Sequence, residues 1–211
     1  MNLNELAEKI VELLEAEYPD ARCSLESSGA LELLIATRLS AQCTDARVNI
    51  VTKELFSRYK TAADFAGADV AEIEGIIHSC GLYKTKARDI AAMCRKICEN
   101  HGGEVPDSID ELIKLPGVGR KTANLIVGDV FGKPSIVADT HCIRLSNRLG
   151  LVGSTDPAKV ERELRRLIPP EKSGDFCHRL VMHGRAVCKA RRPGCQTCRL
   201  RSLCAFALNE G

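Results

Sequence analysis

Lys121 and Asp139 are the residues of this chain whose types and surroundings allow covalent and electrostatic chemistry. Lys121 follows Leu115-Pro116-Gly117-Val118-Gly119-Arg120. Pro116 lacks an N–H and disfavours a helical residue before it, so it ends the short amphipathic run Ile109–Leu115. Gly117 and Gly119 admit backbone angles that side chains forbid and leave the main chain bare. Their amides, with the first amides of a helix opening at Arg120, make a nest of donors for a phosphate oxygen. Such a hairpin between two helices grips a nucleic-acid backbone without reading bases; the plainer reading is an ordinary corner between helices. Lys121 lies in the first turn of the second helix, where the positive end of the dipole disfavours an ammonium. A lysine with a neutral fraction can attack a sugar aldehyde carbon and form a Schiff base, whereas a lone lysine is more commonly a solvated surface group. Asp139, before Thr140-His141, is placed to cap the next helix, or to steady positive charge on a sugar.

The second candidate centre is the C-terminal set Cys188, Cys195, Cys198 and Cys204, spaced C-x6-C-x2-C-x5-C. Short loops let four thiolates converge at small entropic cost. Four cysteines suit zinc or an iron–sulfur cluster. Zinc sites usually show two close pairs, and here only Cys195 and Cys198 are close, so the spacing favours [4Fe–4S]. The polar spacers argue against four unrelated core cysteines. The other seven cysteines are scattered and are expected to pack as small apolar residues, with Cys142, near Asp139, a possible oxidation hazard.

These groups need helices to position them. The hydrophobic period is helical throughout, with no convincing strand. Leu3, Leu6, Ile10 and Leu14 mark a first helix. Ala30–Leu39 is apolar enough to be central. Thr44 caps a helix to about Tyr59, and Asp69 one to near Cys80. Further helices span Lys84–Asn100, Thr122–Phe131, Thr140–Leu149, Asp156-Pro157 to Ile168, and Ser173–Val187. The 211 residues are 45% hydrophobic, enough for one or two cores. Aromatics are only 4%, so base-stacking platforms are not the main device. A net charge of +2 hides an uneven distribution. Residues 1–20 carry six acids against Lys9. Residues 176–209 carry no acid but Arg179, Arg185, Lys189, Arg191, Arg192, Arg199 and Arg201, which reads as a phosphate-facing surface or a solvated basic face. The start is an amphipathic acidic helix and not a signal peptide. No apolar run approaches membrane-spanning length. Eleven cysteines without a secretion signal imply a reducing compartment.

Leu115-Pro-Gly-Val-Gly-Arg-Lys-Thr-Ala123, Val137-Ala-Asp-Thr-His141 and the four-cysteine tail together resemble the endonuclease III family, base-excision DNA glycosylases with lyase activity. Leu39-Ser-Ala-Gln-Cys-Thr-Asp45 and Gly81-Leu-Tyr83 extend the resemblance over nearly the whole chain. It implies an all-α, two-lobed helix-hairpin-helix DNA glycosylase fold. Residues 22–134 form a helical barrel lobe with the hairpin, and residues 1–21 and 135–211 an iron–sulfur cluster lobe, with DNA across the cleft. By the same resemblance Lys121 is the Schiff-base lysine and Asp139 the catalytic aspartate. Gln42 fills the hole left by a flipped base, and Leu82 is the wedge between neighbouring bases. DNA contacts extend to Gly117, Gly119, His141, Lys189, Arg191 and Arg192. Cys188, Cys195, Cys198 and Cys204 hold one [4Fe–4S] cluster. Without the resemblance, Gln42 reads as a polar loop residue and Leu82 as a buried turn residue. Cys43 departs from the alanine common in the family after Gln42.

The implied reaction is removal of oxidised or damaged pyrimidines from double-stranded DNA, then β-elimination at the abasic site. The expected state is a monomer in the cytoplasm, associated with the nucleoid, without targeting signal or membrane partner. A T·G mismatch or pyrimidine-dimer glycosylase of the same superfamily is the main alternative. A non-enzymatic, metal-stabilised DNA-binding module would keep the hairpin and cysteines without needing Lys121 and Asp139. A mismatched-adenine glycosylase is disfavoured, because those relatives lack the lysine and carry a further C-terminal domain.

Overall fold

The computed structural model describes residues 1–209, and among these every regular element is helical. They form two compact units, residues 1–22 with 132–211 and residues 23–131. The chain starts in the first unit with α1 (Leu3–Glu17). Asn2 and Glu5 bind each other's backbone amides there at 2.9 and 3.1 Å, a reciprocal cap. Ala7, Ile10, Val11 and Leu14 recur at helical spacing and are buried.

The second unit follows. α2 (Ala30–Ser40) buries Leu33, Leu34, Ile35, Ala36 and Leu39. A helix apolar on so many sides belongs in a core, and α2 packs against α3 (Asp45–Arg58) and the later helices α6 and α8. Thr44 caps α3 and Asp69 caps α5 (Val70–Ile77). Between them lies α4 (Ala62–Gly67), which the helical period alone does not announce. Its signal is Thr61 and Asp64, a capping box three residues apart. α4 and α5 pack on α6 (Tyr83–His101). α7 (Ile109–Leu112) is shorter than its amphipathic run. The chain leaves helical geometry ahead of Pro116, whose ring disfavours helix in the preceding residue. α8 (Arg120–Asp129) closes the unit.

The chain then returns to the first unit. α9 (Thr140–Leu149) packs on α11 (Ser173–Ala186), and α1 packs on α11 and on α10 (Pro157–Leu167). Beyond α11, turns at Cys195–Thr197 and Arg201–Leu203 lead into α12 (Ala205–Asn209). The acids at the end of the first helix are paired within this unit. Glu15 meets Lys172 at 2.8 Å and Arg179 at 3.6 Å, and Glu17 meets Arg199 at 2.8 Å. The Lys172 ammonium holds the Glu15 carboxyl below the usual glutamate range. Arg179 is therefore not part of a solvated basic face: it is buried and also binds Tyr18 O. No helix among the described residues is long and apolar enough to cross a membrane.

Candidate active site and nucleic-acid interface

In the unit of residues 23–131, the turn before α8 is anchored by Leu115 and Val118, both buried, and by a bond from Val118 N to Leu115 O of 3.2 Å. Gly117 has φ +73°. A Cβ there would sit 2.7 Å from Arg38 Nε and 3.1 Å from Asp89 Cβ. The turn thus lies flat on an ion pair in which Arg38 Nη2 donates to Asp89 Oδ2 at 2.5 Å. Gly119 differs from the sequence expectation. Its φ of −96° and ψ of 172° suit any residue at an N-cap, and a Cβ would meet nothing within 4 Å. What a side chain there would obstruct is the approach to the backbone. Among the described residues the amides of Gly117 and Gly119 donate no hydrogen bond, so both remain available to an anion. Lys121 is exposed, in the first turn of α8 just past these amides.

Gln42 and Leu82 come together in the same unit. A Cβ on Gly81 would lie 3.4 Å from Gln42 O. Gln42 has φ 55° and Leu82 φ 60°, and they are the two non-glycine residues with positive φ among the described residues. Left-handed geometry costs an L-residue about 1–2 kcal/mol, and such strain clusters at functional sites. The reading of Leu82 as a buried turn residue is overturned, because it is 57% exposed.

In the other unit, Asp139 does cap α9: its Oδ1 accepts from Cys142 N at 2.7 Å. That bond fixes the carboxylate, and Oδ2 carries no hydrogen bond among the described residues. Cys142 is no exposed oxidation hazard. It is fully buried beside Cys177, and hydrogen bonding to that thiol, with burial, pushes its pKa up, so thiolate is scarce. Cys80 and Cys94 are likewise buried, and desolvation pushes Cys94 up to about 12. His141 occupies the space a Cβ on Gly184 would need and meets Arg144 Nη2 at 3.1 Å.

Cys188, Cys195, Cys198 and Cys204 all line one cavity, together with Leu145, Leu149, Arg148, His183 and Phe206. Among the described residues no three His, Cys, Asp or Glu side chains gather closely enough for a single ion. The four thiols ring a space and do not meet at a point, a donor set suited to a multinuclear cluster. Polar groups already face the sulfurs. Arg148 Nη1 donates to Cys188 Sγ at 3.2 Å, and His183 Nε2 lies 3.4 Å from Cys198 Sγ.

Arg144 and Arg148 escaped the sequence reading. Arg144 Nη2 donates to Cys188 O at 3.0 Å, while Arg148 donates to Lys189 O and Ala190 O at 2.9 and 2.8 Å. Both tie the loop bearing exposed Lys189, Arg191 and Arg192 to the helix that Asp139 caps. Their signal was the spacing of His141, Arg144 and Arg148, which shares one helix face.

Comparison with known proteins agrees with this geometry. Residues 35–170 match the family model described as HhH-GPD superfamily base excision DNA repair protein. The chain is 49% identical to endonuclease III of Synechocystis sp. over 202 residues, covering 95% of this chain and 92% of that one. Endonuclease III of Bacillus subtilis is 48% identical over 188 residues, covering 89% and 86%. A solved structure of a trapped endonuclease III–DNA covalent intermediate superposes with a TM-score of 0.92 at 44% identity, covering 100% of this chain and 99% of that one. With that fold, the bare hairpin turn and the lysine beyond it, this chain belongs to the endonuclease III family of base-excision DNA glycosylases with lyase activity.

Proposed function

We propose that Lys121 is the nucleophile and Asp139 the assisting carboxylate in the excision of oxidised or otherwise damaged pyrimidines from duplex DNA. In this reading residues 22–134 serve as the helical barrel lobe, and residues 1–21 with 135–211 as the cluster lobe. The amides of Gly117 and Gly119 take one phosphate, and Lys189, Arg191 and Arg192 take others; His141 adds a further DNA contact. Leu82 enters the stack beside the lesion and Gln42 fills the vacated position. Lys121 Nζ forms a bond to C1′ as the C1′–N bond to the base breaks. Asp139 accepts the proton lost from the amine and steadies positive charge on the sugar. The C1′–O4′ bond then breaks, O4′ taking a proton as the ring opens, and the C1′=N imine so formed acidifies the C2′ hydrogen. Its removal expels the 3′ phosphate, and water then releases Lys121.

Cys188, Cys195, Cys198 and Cys204 are the residues to hold a [4Fe–4S] cluster, whose four iron–thiolate bonds would cross-link the tail. The protein is proposed to act as a monomer in the cytoplasm, with the nucleoid. The observation that carries the reading is exposed Lys121 at the open end of α8, one residue past Arg120 and the unbonded Gly119 amide.

The test is borohydride trapping on a panel of single-lesion duplexes containing thymine glycol, dihydrouracil, an abasic site, 8-oxoguanine, T·G or A·G. Base release and nicking are scored separately. Wild type should trap and nick on damaged pyrimidines and abasic sites. Lys121→Gln should bind yet neither trap nor nick. Asp139→Asn keeps the cap, since Asn caps about as well as Asp, but should slow base release by roughly 10²-fold or more. Unaltered activity in both variants refutes the assignment. Release confined to T·G would move the substrate to the mismatch class.

A further inference from the structure

Lys86 on α6 is fully buried, a position a lysine almost never takes without a partner. Its Nζ donates to Leu39 O at 2.7 Å, across 47 residues of sequence. Leu39 lies in the last turn of α2, where carbonyls lack partners within the helix and the dipole is negative. Three residues on is Gln42. On its other side, the Lys86 backbone N–H donates to Leu82 O at 3.1 Å. Through its ammonium this residue is bonded to the end of α2, which leads into the Gln42 turn, and through the backbone bond that opens α6 it is tied to Leu82; those two turns hold the two left-handed non-glycine residues among those described. Cys43 and Cys80, one from each turn, are near enough to act on its charge, and burial pushes the Lys86 pKa down. An apolar side chain of equal length would fill this space without desolvating a charge. What it would lack is a donor for the α2 terminus. Gln42 and Leu82 are themselves exposed, so packing of their own side chains does not hold their strained backbones.

We infer that Lys86 is a positioning residue for base extrusion, its ammonium tying the end of α2 that leads into Gln42 to the start of α6 that follows Leu82; this rests on the DNA roles proposed for those residues. The test uses the cluster-loaded full chain in a Lys121→Gln background, so that the base is extruded but not removed. The duplex carries 2-aminopurine beside thymine glycol, and its fluorescence reports unstacking while anisotropy reports binding. Lys86→Met should bind with the same affinity within about threefold but lose most of the fluorescence rise. With Lys121 restored, excision of thymine glycol should slow roughly 10- to 100-fold, the scale of a catalytic group misplaced by about 1 Å. Nicking at a ready-made abasic site should stay near wild type. Lys86→Gln, which retains a neutral donor, should recover part of the signal. Amide exchange in Lys86→Met should rise at residues 39–44 and 80–86 and not across the unit. An unchanged fluorescence rise in Lys86→Met, with the rise lost in Leu82→Ala and Gln42→Ala, overturns the inference alone. If those two variants also leave it unchanged, the reading of Gln42 and Leu82 has failed instead. A globally loosened Lys86→Met, or equal slowing on paired and abasic substrates, makes Lys86 a packing residue and overturns the inference. If Lys86→Met does not fold, Lys86→Gln decides: extrusion as weak as in Leu82→Ala, despite the retained donor, refutes it.

Discussion

Gly117 and Gly119 sit two residues apart in one turn yet answer to different physics. Gly117 needs its positive φ and the absence of a Cβ, because Arg38 and Asp89 occupy that space. Gly117→Ala should cost about 1–3 kcal/mol in urea unfolding, from left-handed strain and the displaced ion pair. Gly119 has extended backbone, open space and an N-cap position. Gly119→Ser should therefore leave the fold as stable, or raise its stability by a few tenths of a kcal/mol, because serine caps better than glycine. The same variant should weaken binding to an abasic-site duplex, since its side chain intrudes where the phosphate meets bare amides. A Gly119→Ser protein that binds as tightly as wild type would remove this turn from the DNA contact. Opposite signs on stability and binding are the mark of a residue retained for function.

At the scale of elements, the loop of Lys189, Arg191 and Arg192 is exposed in its side chains but held by its backbone. α9 performs both tasks: Asp139 caps its start, and Arg144 and Arg148, both half-buried, grip the loop. Replacing Arg191 and Arg192 together by alanine should leave the melting temperature within about 2 °C, since exposed substitutions away from special contacts are nearly neutral. Binding should weaken similarly on every duplex sequence, as phosphate contacts carry no base information. The slope of log affinity against log salt should flatten by about one to two units. An unaltered slope would mean that these arginines do not meet phosphate. Arg179 and Arg199, equally basic in sequence, belong to another account: Glu15 and Glu17 of α1 already engage them.

Among the described residues of the molecule as a whole there are two hydrophobic cores, one per unit, and Cys188, Cys198 and Cys204 adjoin only the one that contains α9. Their cavity is bounded by Leu145 and Leu149 of α9 and by Phe206, over which Arg148 stacks at 4.8 Å. Purified protein should be yellow-brown, with about four irons and four sulfides per chain. Stripping the iron with an oxidant and chelator should lower amide protection across residues 194–204, because the backbone bonds there are short-range turns that no long helix supports and that the thiolate links would hold. Residues 33–39 and 87–97, in the other core, should keep theirs. Protection lost equally in both units, or stoichiometric zinc in a colourless active preparation, would rule out this division of labour.

What the sequence determined by itself was whatever depends on neighbours within about four positions. Helical period, capping residues and proline stops act at that range, which is why both ends of α3, α9 and α10 and the start of α5 were readable, whereas α5 stops at Ile77 and not near Cys80. The C-x6-C-x2-C-x5-C spacing and the Gly-Val-Gly-Arg-Lys run are local patterns too, so Lys121 and the four cysteines stood out. α4 was readable in principle from Thr61 and Asp64, but six residues are too few to show a period. Only tertiary structure decided which charges are spent. Lys86 reads as a surface lysine of an amphipathic helix until Leu39 meets it from 47 residues away. Arg38 reads as an ordinary helix cation until Asp89, 51 residues on, pairs with it beneath Gly117. Leu82, an apolar residue in a turn, looks destined for the interior, yet a left-handed backbone turns it out to solvent. Such partners are chosen by the packing of whole helices, and no short-range pattern encodes which helix will arrive.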